Sequence, residues 1–335
     1  MREFIKALCL FLVLSACENI NDKMVYKPQS SGNINDLSVV IDNELWESPV
    51  GESIRSTIGA PLYGLPQDEP QFKLRQIPLS IFSGFVKNTR LVLKVTKGAE
   101  ASIKFYKDPY ASPQRMILVS GMTNQEIIDQ FVENEEEITS AFKAYEIKEK
   151  QRRTRKSLFN STAISEQLGI GIQFPSIYRL AKQEDDFFWI RRDIKTGTVN
   201  LLLYTVPYDE TTTKEVLANR VIRTRDSIGK KHIPGPVEGS YMTTEKAYTP
   251  FFGKDKVANL NSFKTKSIWQ VKDAFMSGPF INYWIEDKAN SRFLIAEGFV
   301  FAPSGIENNI VSVERIMVLA KSLIIQVKFL KYFLK

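Results

Sequence analysis

The chain has 335 residues, 45 of them Lys or Arg and 38 Asp or Glu, with one histidine and two cysteines. One histidine and two cysteines, with both cysteines spent at the N-terminus as described below, leave too few ligands for a zinc site built from His and Cys, which needs three or four. The charge balance, a net +7, favours an anionic surface only weakly, and a chain of this length is ample for two cores.

The first residues read as an export leader. Arg2 and Lys6 form a positive start, and residues 7–16 are almost wholly apolar. That run is far shorter than the roughly 20 residues of a spanning helix. It closes in Leu14-Ser15-Ala16-Cys17, which resembles the bacterial lipobox. Small Ser15 and Ala16 let a peptidase reach the backbone, and the Cys17 thiolate is the nucleophile that accepts a diacylglycerol. Acyl chains there would give durable anchoring at about 0.8 kcal/mol per buried CH₂. The alternative is an ordinary signal peptide with a cysteine at its cut site. With residues 1–16 removed, the net charge becomes about +6. Cys9 leaves with the leader and Cys17 carries lipid, so the mature chain is expected to hold no disulfide, thiol nucleophile, metal or cofactor. Nucleic acid is not an expected partner.

Residues 17–35 are polar and aperiodic and read as a flexible tether. Glu18 and Asp22 are the only acidic residues just after Cys17. Some surface-exported lipoproteins carry a dense acidic cluster there; its lack favours the periplasmic face of the outer membrane. A first α+β lobe is expected over residues 36–156. It opens with a strand at 37–42, then a helix with Leu45, Trp46, Val50, Ile54 and Ile58 at near-helical spacing, ending at Gly59. Residues 59–70 are rich in Gly and Pro and read as a loop.

A unit of strand, turn, strand, capping box and helix then recurs three times. Its strand pairs are 102–106 with 115–120, 187–193 with 199–207, and 280–287 with 292–303. The boxes start at Thr123, Thr212 and Ser304, each with Glu three residues on, so the hydroxyl takes the N3 amide while the carboxylate reaches back. The first helix is expected over about 124–156, with Ile127, Phe131, Ile138, Phe142 and Tyr145 on one face. Its early glutamates and late Lys and Arg suit the helix dipole. The basic run 148–156 reads as a solvated helix end, with anionic lipid or glycan as the alternative contact. The second helix is expected to reach about Asp226. A second α+β lobe, residues 157–335, ends in a C-terminal helix on which Glu314, Lys321, Lys328 and Lys335 form one polar stripe. The expected fold is α+β: antiparallel sheets built from strand-strand-helix units, helices on one face, in two lobes.

Segments 31–46, 59–72, 235–245, 277–284 and 291–303 are together similar to a Bacteroidetes lipoprotein family catalogued as a domain of unknown function, DUF4837. The resemblance implies a lipid-anchored envelope protein and no activity. The end of the chain, after Ser304, departs from that family's more polar ending.

His232 with Ser240 offers a hydrolytic pair, but no nucleophile-elbow pattern surrounds the serine. A loop histidine without a catalytic task is the better reading. Glu238 and Glu245 lie near Tyr241, and Glu286 and Asp287 near Tyr283 and Trp284, with Glu297 a further candidate carboxylate. Paired carboxylates beside aromatic rings are what glycan hydrolysis uses, at about 5 to 9.5 Å apart. Such residues on strands are more often solvated carboxylates and core aromatics. Asp226-Ser227-Ile228 resembles an O-glycan acceptor. A binding or assembly protein with an envelope protein or glycan partner is therefore expected, with a glycan or peptidoglycan hydrolase as the alternative. Two of Glu238, Glu245, Glu286 and Glu297 converging in one cleft would favour the hydrolase.

Overall fold

The computed structural model describes residues 26–62, 70–195, 197–210 and 213–301. The leader, Cys17, Thr212, the Ser304 box and the C-terminal helix lie outside the described residues. The fold is α+β, with six helices and two sheets among the described residues.

The first sheet has five strands in the order β2-β1-β3-β5-β4. These are β1 (Asp36–Val40), β2 (Lys73–Ile77), β3 (Leu91–Lys97), β4 (Ser102–Lys107) and β5 (Arg115–Gly121). The expected β4–β5 hairpin is antiparallel, but β1 pairs in parallel with β2 and β3, and β3 with β5. The chain between β1 and β2 crosses over through α1 (Asn43–Glu47) and α2 (Pro49–Thr57), which returns it in the same direction. Central β3 reads LVLKV and is buried on both faces, as parallel strands are. On one face Leu37, Val39, Leu93 and Ile117 pack under α1, α2, α3 (Asn124–Glu133) and α4 (Glu135–Thr154). Val40, Val92 and Met116 on the other face pack under Leu79, Phe82 and Val86.

The single helix expected over 124–156 is two. Asn134 leaves helical geometry at φ −115°, ψ 14°, and its side-chain amide donates to the Gln130 carbonyl at 2.9 Å. Asparagine competes in this way for backbone groups and ends a helix. Ile138 and Phe142 on α4 still join Ile127 and Phe131 in the core.

Nor does the tether run free to residue 35. Ser30 and Ser31 amides donate to the Ser112 and Asn88 carbonyls at 3.2 and 2.9 Å. Arg90 Nη1 donates to the Gly32 carbonyl at 3.0 Å, and the Asn35 amide to Glu146 Oε2 at 2.5 Å. Residues without hydrophobic periodicity are held here entirely by polar bonds. Beside them Glu149 accepts from Arg152 and Arg153 at 2.7 Å. Burial alone would raise the Glu149 carboxyl; the two guanidiniums overcome that and bring it down to about 2.

The second sheet is antiparallel throughout, in the order β10-β11-β12-β13-β8-β7-β6, with β9 paired to β11. Its strands are β6 (Arg179–Glu184), β7 (Phe187–Ile194), β8 (Gly197–Pro207), β9 (Met242–Thr244), β10 (Phe251–Val257), β11 (Leu260–Val271), β12 (Ser277–Asp287) and β13 (Arg292–Phe301). The hairpins β7–β8 and β12–β13 match the sequence pattern. Helices lie on both faces, whereas those of the first sheet share one face. Leu201, Leu203, Tyr283 and Ala296 pack against α5 (Thr162–Leu168) and Phe174. Leu202, Trp284 and Ile295 face α6 (Lys214–His232), through Leu217 and Val221. That two-sided burial explains strands such as NLLLY and INYWI, where alternation fades into a continuous apolar run.

α6 starts one residue later than expected. Its N-cap is Thr213, whose hydroxyl accepts from the Val216 amide at 3.4 Å. It also runs past Asp226 to His232. Gly229 permits this: a Cβ there would stand 2.1 Å from the Met242 carbonyl, so only glycine lets the last turns lie on β9. Thr123 caps α3 as expected, accepting from the Glu126 amide at 3.1 Å. The Glu126 carboxylate reaches back one residue further than a standard box, to the Met122 amide at 2.8 Å. Thr123→Ala is expected to lower stability by about 0.5–2 kcal/mol and Thr213→Ala by less, because its bond is longer. Urea midpoints of the two variants check the order.

Candidate functional site

The four carboxylates singled out in the sequence are dispersed. Glu238 stands exposed in the loop after α6. Glu286, on β12, lines a hollow of about 510 Å³ with Asp255, which Lys264 already engages at 2.9 Å. Glu297 is fully buried on β13. It pairs in register with Asn282, four residues before Glu286 on β12. At about 3.3 Å per residue that separates Glu286 from Glu297 by roughly 13 Å, beyond the span of a hydrolytic pair. Glu245 follows β9 and alone of the four lines the cleft beside α6.

Tyr283 and Trp284 are core, while Tyr241 is half-buried beneath Lys230 and Lys272. Trp284 is fully buried on the α6 face and Tyr283 on the other. His232 is buried, stacked 3.9 Å from Phe187, with Nδ1 3.4 Å from Glu184 Oε1. Burial lowers its pKa. Ser240 Oγ closes a local turn, donating to the Val237 carbonyl at 2.5 Å and accepting from its amide at 3.1 Å. The pair does not form a catalytic dyad. The Asp226-Ser227-Ile228 acceptor pattern lies within α6, where Ser227 Oγ donates back to the Arg223 carbonyl at 2.9 Å.

Under α6 the sheet carries a polar row. Thr265 on β11, Asn282 on β12 and Glu297 on β13 are register partners and all are buried. Asn282 Nδ2 donates to Glu297 Oε2 at 2.7 Å. Arg225 comes down from α6, 1% exposed, and sets Nε 2.9 Å from Glu297 Oε1. It also lies over the Phe280 ring at 3.8 Å and donates from Nη1 to Thr244 Oγ1 at 3.1 Å. Thr244 in turn donates from both its amide and its hydroxyl to Asp226 Oδ1, each at 2.7 Å. Burial raises the Glu297 carboxyl, against the opposing pull of Arg225 and Asn282. Burial and then the Glu297 charge also push the nearby Tyr204 hydroxyl up.

Above the end of this row a cleft of about 660 Å³ opens between α6 and the connection from β9 to β10. Its floor is Thr244, Asp226 and Thr265. The Thr265 hydroxyl is buried and has no hydrogen-bond partner. The walls are Ala218, Asn219, Ile222 and Arg223 from α6, and Glu245, Lys246, Tyr248 and Phe252 opposite. Glu245 Oε1 accepts from the Ala247 amide at 2.8 Å, which shapes that connection.

Arg225, Asn282, Thr265, Tyr248 and Phe252 were not among the sequence candidates. A signal for Arg225 exists: Leu217, Val221, Arg225 and Gly229 recur every four residues, so the arginine interrupts an apolar helix face. Asn282 likewise breaks the apolar run of β12. Breaking a buried pair from one side leaves an uncompensated charge. Arg225→Met and Glu297→Leu are each expected to lower stability by about 3–5 kcal/mol, and the double variant by clearly less than their sum. Chemical denaturation of the three variants measures the coupling.

No curated protein matches the chain. Two family models do, each described only as a domain of unknown function. The resemblance to DUF4837 that the sequence suggested over nearly the whole mature chain is narrower than that, because segments 31–46 and 59–72 fall in the other match. Residues 157–318, which include the second sheet and the cleft, are similar to DUF4837, and residues 30–155, which include the first sheet, to DUF8532.

Proposed function

We propose that this chain is an exported protein of the cell envelope, lipid-anchored through Cys17 to the periplasmic face of the outer membrane, that binds a glycan without cleaving it. The observation that carries the binding reading is the cleft beside α6. Tyr248 and Phe252 supply ring faces for the apolar side of a sugar. Asn219, Arg223, Asp226 and Glu245 supply planar polar groups for its hydroxyls. Two cations, Arg223 and Lys246, balance two carboxylates, which suits a ligand of little net charge. Its volume falls within the usual range for ligand sites, about 300–1,000 Å³. The unpartnered Thr265 hydroxyl on the floor is a group that a ligand or a bridging water would satisfy.

Cleavage would need a free acid and a free base or nucleophile. Glu297, the carboxyl that burial pushes up, lies behind Arg225 and not in the cleft. Asp226 and Glu245 do line the same cleft, which is the observation favouring a hydrolase. Asp226 is engaged by two Thr244 donors and Glu245 by its own loop.

Calorimetry with muropeptides and neutral envelope oligosaccharides tests this. Saturable binding is expected, weakened about tenfold or more by Tyr248→Ala or Phe252→Ala, with the ligand recovered intact by mass spectrometry. Cleaved ligand, with cleavage lost in Asp226→Asn or Glu245→Gln, would establish the hydrolase instead. For the anchor, the intact mass of membrane-extracted protein should correspond to a chain starting at acylated Cys17. An unmodified mass beginning at Glu18 or beyond would end the lipoprotein reading.

A further inference from the structure

The chain leading back towards Cys17 leaves the first lobe at a defined place. Lys27 Nζ donates to the Asp108 carbonyl at 2.5 Å. Gln29 and Ser31 form isolated bridges with Ser112 and Thr89. The Gly32 carbonyl accepts from Arg90 and Arg153 at 3.0 and 2.9 Å. These contacts gather the loops before β1, β3 and β5 and the end of α4 around the exit.

Apolar groups stand on one side of it. In the double turn of residues 79–88, Leu79, Phe82 and Val86 pack inward on the sheet. Ile81 and Phe85 do not: they are 56% and 86% exposed. The turn joins the tether directly, since Asn88 accepts from the Ser31 amide at 2.9 Å. Tyr26, at the exit itself, is 89% exposed. Cations also stand beside the tether, where α4 meets it through Arg153 and ends in exposed Arg155 and Lys156. Tyr26 lies nine positions after Cys17, a reach of at most about 30 Å.

Exposed apolar corners, flanking cations and the exit towards a lipid anchor match one kind of surface. We propose that this end of the first lobe docks on an anionic lipid leaflet, with Ile81 and Phe85 in the boundary between headgroups and acyl chains and Lys27, Arg155 and Lys156 on the headgroups. The docking rests on the lipoprotein reading for its orientation. Its contacts are independent of acylation and are tested without it.

The probe is a set of vesicles, either pure phosphatidylcholine or three parts phosphatidylcholine to one part phosphatidylglycerol. The protein is the mature chain from residue 17 carrying Cys17→Ser, which cannot be acylated. Co-sedimentation should show stronger partitioning to the anionic vesicles. Ile81→Ser with Phe85→Ser should weaken it by about tenfold or more. Arg155→Gln with Lys156→Gln should weaken it by about fivefold per charge and remove most of the preference for anionic lipid. Both variants should keep the parental urea midpoint, because the altered side chains are exposed. Equal partitioning of parent and variants, or no binding to either vesicle, would overturn the docking surface. Intact mass decides the acylation of Cys17 separately, so failure of one reading is distinguishable from failure of the other.

Discussion

Arg225 and Glu297 meet at 2.9 Å in the layer between α6 and the eight-stranded sheet, and both are buried. A guanidinium in that position must find its charge partner, its stacking surface and its hydrogen bonds inside the protein. Glu297 supplies the charge partner from β13, Phe280 the stacking surface from β12, and Thr244 a hydrogen bond to Nη1 from β9. The pair and its neighbours therefore join one helix to β9 and to the β12–β13 hairpin. It sets where α6 lies, and so where the cleft opens beside it.

The first lobe uses the same device. Arg90 Nε donates to Glu146 Oε1 at 2.6 Å, with 1% and 0% of the side chains exposed. The same guanidinium takes the Gly32 carbonyl, while Glu146 takes the Asn35 amide. A polar segment with no apolar face of its own is thus fastened to β3 and α4 by one buried ion pair. Buried pairs of this kind contribute little net stability compared with apolar packing, but they penalise every arrangement that leaves one charge alone. Here that penalty selects one path for the tether and one seat for α6.

Chemistry in the second lobe follows from this division of roles. Glu297 is the most deeply buried of the candidate carboxylates, and structural pairing occupies it. What remains open to a ligand is the cleft beside α6, with ring faces at Tyr248 and Phe252 and a few planar polar groups. The arrangement suits recognition of a polar, weakly charged molecule more than attack on one of its bonds. The first lobe presents a different surface, apolar at Ile81 and Phe85 and cationic at Arg155 and Lys156, around the exit of the chain.

Local features were legible in the sequence because their causes are local. The hairpins β4–β5, β7–β8 and β12–β13 follow from apolar runs separated by short turns. The Thr123 cap follows from a hydroxyl three residues before Glu126. The shared core face of α3 and α4 follows from helical spacing, even though Asn134 divides them. Tertiary structure decided the rest. The parallel pairing of β1 with β3 depends on where α1 and α2 return the chain. The polar row Thr265–Asn282–Glu297 depends on register between three strands, and a slip of one residue would turn each side chain to the opposite face. Spacing along the chain could not say whether Glu286 and Glu297 meet. Strand pairing placed one at the rim of a hollow and the other beneath a helix, because hydrogen bonds between strands, and not distance in sequence, determine which side chains meet.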